Sequence, residues 1–121
     1  MAQDTLAFDV ASLLYDKKAK DIVALDVAHL TVLTEHLVIA TGHNPIQVRA
    51  LSDHVDEFMM KQGLEPRRVE GRNDGNWIVM DYNKLIVHLF KADARAFYRL
   101  ERLWDDGQNR LNLPFLQEAE T

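Results

Sequence analysis

Gly75-Asn-Trp-Ile-Val-Met-Asp-Tyr-Asn-Lys-Leu-Ile-Val-His-Leu-Phe90 is the stretch that decides how this chain folds. Two apolar runs rich in β-branched and aromatic residues meet at the polar corner Tyr82-Asn83-Lys84, the pattern of a β-hairpin. With Asn83-Lys84 as a two-residue turn, Trp77 stands opposite Phe90, Val79 opposite His88 and Asp81 opposite Ile86. Side chains alternate along a strand, so this register sorts them by face. One face collects Ile78, Met80, Tyr82, Leu85, Val87 and Leu89 and is expected to meet helices. The other collects Trp77, Val79, Asp81, Ile86, His88 and Phe90. Large aromatics beside a few polar groups are what docking hot spots are made of. The alternative is a second face that is also covered, with His88 a satisfied interior histidine. Asn-Lys is a poorer primed turn than Asn-Gly, and a slip of one residue would exchange the two faces.

The rest of the chain supplies elements around this hairpin. Leu6, Val10, Leu13 and Leu14 are spaced for a helix over Thr5 to Lys18, with Asp4 or Thr5 as its cap and Lys17, Lys18 and Lys20 suiting its negative end. Asp21 to Asp26 reads as a strand, and Val27 to Glu35 as a connection holding a helical turn. Leu37 to Thr41 is a strand apolar at successive positions, hence covered on both faces and central. Asn44 caps the next helix, with Pro45 at its first position and Gln47 set to reach back to the Asn44 amide. Its stripe is Val48, Leu51, Val55, Phe58 and Met59, and Gly63 closes it. Pro66 to Glu70 is a further strand, and Gly71 to Gly75 a turn. Asp93 is expected to cap one last helix carrying Phe97, Leu100, Leu103 and Trp104, ended by Gly107. The reading is therefore a single α/β (α+β) domain over residues 1-107, a mixed sheet of about five strands flanked by helices. A tail over residues 108-121 either packs loosely or docks on the body through Leu113, Phe115 and Leu116, and ends in a disordered acidic segment.

The totals exclude several functions. The 121 residues suit one domain with a real core. No apolar run reaches the ~18 residues of a membrane span, and the N-terminus lacks a basic segment followed by an apolar one, so a cytoplasmic chain is expected. No cysteine is present, which removes disulfides and thiolate chemistry. The net charge of -5 argues against a general nucleic-acid binder and permits a basic protein partner. His29, His36, His43, His54 and His88 form no metal-binding pair, and Asp81 has no second carboxylate alternating with it on its strand. Neither Ser12 nor Ser52 stands in a nucleophile elbow. No metal, cofactor or catalytic residue is assigned, and the chain is expected not to be an enzyme. The competing view is a nucleotide-binding or catalytic protein, with Gly42 and the helix start at Asn44 holding phosphate and Asp81 a lone metal carboxylate.

Several blocks together resemble one family: Asp21-Ile-Val-Ala-Leu-Asp-Val27, Val38-Ile-Ala-Thr-Gly42 followed by Gln47-Val48, Glu70-Gly71 with Asp74-Gly75-x-Trp77, Asp81-Tyr82, Val87-His88-x-Phe90, and Arg95-x-Phe-Tyr-x-Leu-Glu-x-Leu-Trp104. They are similar to the Iojap-like family, the bacterial ribosomal silencing factors, from about Lys18 to Trp104 and in the family order. Pro45-Ile46 and Asn83-Lys84 depart from its pattern. The resemblance implies a nucleotidyltransferase-like topology without the catalytic residues. It also implies a protein that binds the large ribosomal subunit through its fourteenth protein, blocks subunit joining and represses translation under nutrient limitation, and it implies homodimers. On that reading the partner-binding residues are Trp77 and Phe90 as apolar anchors, Asp81 and Glu70 as acceptors for a basic partner, and His88, Tyr82 and Arg68 beside them.

Overall fold

A computed structural model describes residues 2–116. Helix α1 spans Ala2–Asp16, strands β1 and β2 span Lys20–Asp26 and His36–Gly42, and α2 spans Pro45–Lys61. Strands β3, β4 and β5 follow at Arg68–Glu70, Trp77–Asp81 and Leu85–Lys91, then helices α3 and α4 at Ala92–Tyr98 and Glu101–Trp104. The five strands form one sheet in the order β1-β2-β5-β4-β3. β2 and β5 run parallel, and the other neighbours are antiparallel. This is the mixed, helix-flanked sheet the periodicities predict.

The hairpin has the expected register, with Trp77 opposite Phe90, Val79 opposite His88 and Asp81 opposite Ile86. Its corner solves the Asn-Lys problem differently from a two-residue primed turn. Asn83 alone takes the left-handed conformation, φ 76°, and the Lys84 amide donates to the Tyr82 carbonyl at 3.0 Å, a γ-type turn. The Asp81 carboxylate accepts from the Asn83 amide at 2.8 Å, and the Tyr82 amide donates to the Leu85 carbonyl at 2.8 Å. The side chain before the corner holds the corner.

One face of the sheet carries the main core. Ile78, Met80, Leu85, Val87 and Leu89 pack with Val10 and Leu14 of α1 and with Val48, Leu51, Val55 and Met59 of α2. Each such side chain, fully buried, stabilises the fold by about 1.5–3 kcal/mol. β2 is buried at all seven positions, as its unbroken apolar run requires. Asn44 Oδ1 accepts from the Gln47 amide at 2.8 Å, so the predicted cap of α2 stands. The Gln47 side chain accepts from His43 rather than from Asn44. Gly42 is required here by packing, since a Cβ would lie 2.6 Å from Cγ2 of Val48.

Three elements differ from expectation. α1 begins at Ala2, so Asp4 and Thr5 lie inside it, and it ends at Asp16 with Lys18 left-handed at φ 74°. The single last helix is two, broken at Arg99, which is left-handed at φ 50°. Lys91, not Asp93, occupies the cap position of α3. The break returns Glu101 to the buried Arg95, whose Nε donates to it at 3.4 Å, and sets Leu100 and Trp104 against Leu25, Leu37 and Ile39. Leu103, expected on the apolar stripe, is exposed as a result. The tail is stitched to β1: the Leu111 amide donates to the Ala24 carbonyl at 2.8 Å, and Asn109 is buried and donates to the Asp26 carbonyl at 2.9 Å. Leu113 is buried in the main core, with Phe115 and Leu116 packed beside it. The acidic end expected to be disordered lies outside the described residues.

Candidate functional site

The second face of the sheet is covered unevenly. Over β1 and β2 it is closed by Ala94, Leu100 and Trp104. Over β3, β4 and β5 it carries Arg68, Glu70, Trp77, Val79, Asp81, Ile86, His88 and Phe90, all placed on one side by the register. Trp77, Val79, Ile86 and His88 are partly exposed, and Arg68 and Glu70 are exposed at the edge. The Arg68 Nε and Glu70 Oε2 stand 3.6 Å apart.

The aromatic residues form a single built unit. The Trp77 ring stacks on Phe90 with centroids 4.9 Å apart and planes 23° from parallel. The Trp77 indole N–H donates to Nδ1 of His88 at 3.0 Å. Because Nδ1 accepts, the imidazole proton belongs on Nε2 and the ring is neutral. Burial agrees, pushing the His88 pKa down from 6.5 to about 4. His88 is thus a satisfied histidine, and its partner Trp77 is partly exposed on the same face.

Three of the seven candidate residues are placed differently from a direct contact role. Phe90 has no exposed surface, so it supports Trp77 from below instead of anchoring a partner. Asp81 is buried and its carboxylate is engaged by the hairpin corner, whereas Glu70 is exposed. Tyr82 points to the opposite face, where its hydroxyl lies 3.4 Å from Asp56 of α2. Burial and that carboxylate raise its pKa. Trp77, His88, Arg68 and Glu70 share the open face, with Val79 and Ile86 as its apolar floor.

At the start of α2, where the sequence offers a phosphate site, most of the backbone donors are missing or otherwise used. Pro45 has no N–H, the Gln47 amide is taken by Asn44, and the Val48 amide donates to the Asn44 carbonyl at 3.0 Å. No group of three metal-ligating side chains occurs among the described residues.

The sequence reading passed over one neighbouring feature. Leu30, Val32 and Leu33 are exposed in the β1–β2 connection, which lines a groove of about 590 Å³ together with Asn83 and Lys84 of the hairpin corner. Three large apolar residues within four positions of a connecting loop are the available signal.

The chain is a mixed-sheet α+β module with a partly exposed aromatic face over β4 and β5. Comparison with known proteins gives that module its family. The family model described as ribosomal silencing factor during starvation matches residues 2–121, and the chain belongs to this family. It is 35% identical over 92 residues to a ribosomal silencing factor of Halalkalibacterium halodurans, covering 76% of this chain and 79% of the relative. It is 40% identical over 87 residues to that of Haemophilus influenzae, covering 72% and 85%. More distantly it is 27% identical to mitochondrial assembly of ribosomal large subunit protein 1 of Mus musculus, covering 80% of this chain and 45% of that one. A crystal structure of a Chromobacterium violaceum protein superposes with TM-score 0.77 at 29% identity, covering 93% and 92%. Among the described residues, no helix is long and apolar enough to cross a membrane.

Proposed function

We propose that this chain silences the ribosome by steric exclusion. It binds the large subunit through its fourteenth protein, at the surface that meets the small subunit, prevents the two from joining, and represses translation when nutrients are limiting. No chemistry is involved, the site of action is the cytoplasm, and the protein is able to form a homodimer. The observation that carries the docking surface is the Trp77 unit: an indole held at fixed orientation by Phe90 and His88 loses little freedom on binding, which is what an interface anchor needs. Arg68 and Glu70 supply the charged rim, where they set orientation and on-rate more than affinity. Membership of the silencing-factor family supports the ribosomal partner.

The test is co-sedimentation of the purified protein with isolated large and small subunits at two salt concentrations, with Trp77→Ala and Glu70→Arg alongside wild type. Saturable binding to the large subunit alone is expected. Trp77→Ala should weaken it by about 30-fold, corresponding to a hot spot of about 2 kcal/mol, with circular dichroism showing the fold retained. Wild-type affinity in a folded Trp77→Ala variant would move the interface off the hairpin, and binding to neither subunit would overturn the function.

A further inference from the structure

Helices α3 and α4, the start of β1 and the tail enclose a cleft of about 620 Å³ that shares no residue with the hairpin face. Thr41 and Ala92 lie on its wall, so it opens at the carboxyl ends of the parallel strands β2 and β5. That end of an open α/β sheet is where ligands are generally held. Four arginines line it, Arg95, Arg99, Arg102 and Arg110, against the carboxylates of Asp21 and Glu101.

The four have different duties. Arg95 is buried and committed to the fold, donating to the Asp21 carbonyl, to Thr41 Oγ1 at 2.9 Å and to Glu101. Arg110 is paired with Asp105 at 2.6 Å. Arg99 and Arg102 are exposed, and neither forms an ion pair among the described residues. The Arg99 side chain donates to the Ala96 carbonyl at 3.2 Å. The break between α3 and α4 is what brings these two to one wall, since Arg99 is itself the left-handed residue and Arg102 lies in the short helix behind it.

We propose that this cleft is a phosphate site, with Arg99 and Arg102 as its recognising groups and Arg95 as the fixed floor. Guanidinium forks match the oxygens of phosphate and bind them in pairs. The volume suits a nucleotide-sized group. A chain with net charge -5 repels polyanions in general, so binding here requires these particular cations rather than overall attraction. The phosphate comes from an RNA backbone or from a free nucleoside polyphosphate. Only the first source rests on the ribosomal reading.

The experiment is titration of the full chain with pyrophosphate, with ATP and with a labelled RNA duplex at two salt concentrations, in wild type, Arg99→Asn/Arg102→Gln and Lys61→Gln. Asn is chosen at position 99 because it tolerates the left-handed backbone. Wild type is expected to bind at least one probe, and the double variant to bind it at least about tenfold more weakly, with the RNA salt slope reduced by about two. Binding of pyrophosphate and ATP identifies the free source, and binding of RNA alone the backbone. No binding of any probe, unchanged affinity in the double variant, or an equal loss in Lys61→Gln at the far end of α2 would overturn the site. Because Trp77 is intact throughout, subunit co-sedimentation reports separately on the hairpin face.

Discussion

Replacing His88 by Gln tests whether the imidazole is held neutral under Trp77. In the folded chain its pKa is lowered to about 4 by burial, whereas in the unfolded chain it is near 6.5. As pH falls through 6.5 the unfolded state takes up the proton first, so His88 contributes stability that is present above pH 6.5 and lost between 6.5 and 4. The full loss corresponds to about 3 kcal/mol, and at pH 5 it is already about 2 kcal/mol. Protonation would also place an N–H on Nδ1 facing the Trp77 indole N–H, which now donates to it at 3.0 Å.

Glutamine does not titrate and keeps an oxygen able to accept from the indole. Urea unfolding followed by tryptophan fluorescence, at pH 7.5 and pH 5, gives the stability of both chains. Carboxylates affect both alike, so the difference between the two pH dependences isolates residue 88. Wild type should lose about 2 kcal/mol more than His88→Gln between those pH values. Equal losses, or a His88 resonance titrating near 6.5 in the folded chain, would refute the buried neutral pair and with it the fixed orientation of Trp77.

Two further outcomes follow from the backbone. Gly71 is left-handed at φ +84°, and a Cβ there would stand 1.9 Å from the Trp77 carbonyl oxygen, whereas Gly63 at φ +77° has open space around it. Gly71→Ala should therefore cost about 3 kcal/mol or more and Gly63→Ala about 1 kcal/mol, as read by chemical denaturation; equal costs would mean that backbone conformation alone decides. Deleting residues 108–121 removes the buried Leu113 and the Asn109 and Leu111 bonds to β1, and should lower stability by about 3 kcal/mol, while an unchanged melting temperature would make the tail an appendage.

The hairpin was legible because its information is local. Five rungs agree on one register, and a slip would have put Ile78, Met80, Val87 and Leu89 in water. The cap at Asn44 was legible for the same reason, its acceptor lying three residues from its donor. The last helix was not. Phe97, Leu100, Leu103 and Trp104 keep helical spacing across Arg99, and nothing in that spacing marks the left-handed residue there, beyond which Glu101 meets an Arg95 tied to Asp21 and Thr41 far away in the chain.

The same distinction governs the site. Alternation told which residues share the open face, but Phe90 is buried and Trp77 is not because the hairpin pairs them at one rung while β5 lies inside the sheet and β4 one strand nearer its edge. Asp81 reads as a surface acceptor from its strand position, yet the corner it must close is two residues away and claims its carboxylate. Arg95, Arg99 and Arg102 stand at i, i+4 and i+7, a basic stripe that carries no expectation because charges along one helix face are ordinary. Only the break at Arg99 gives that stripe a concave wall, because a straight helix would have spread the three along one exposed side. A feature set by one element's own spacing could be read directly, while each one that depends on what a second element covers required the fold.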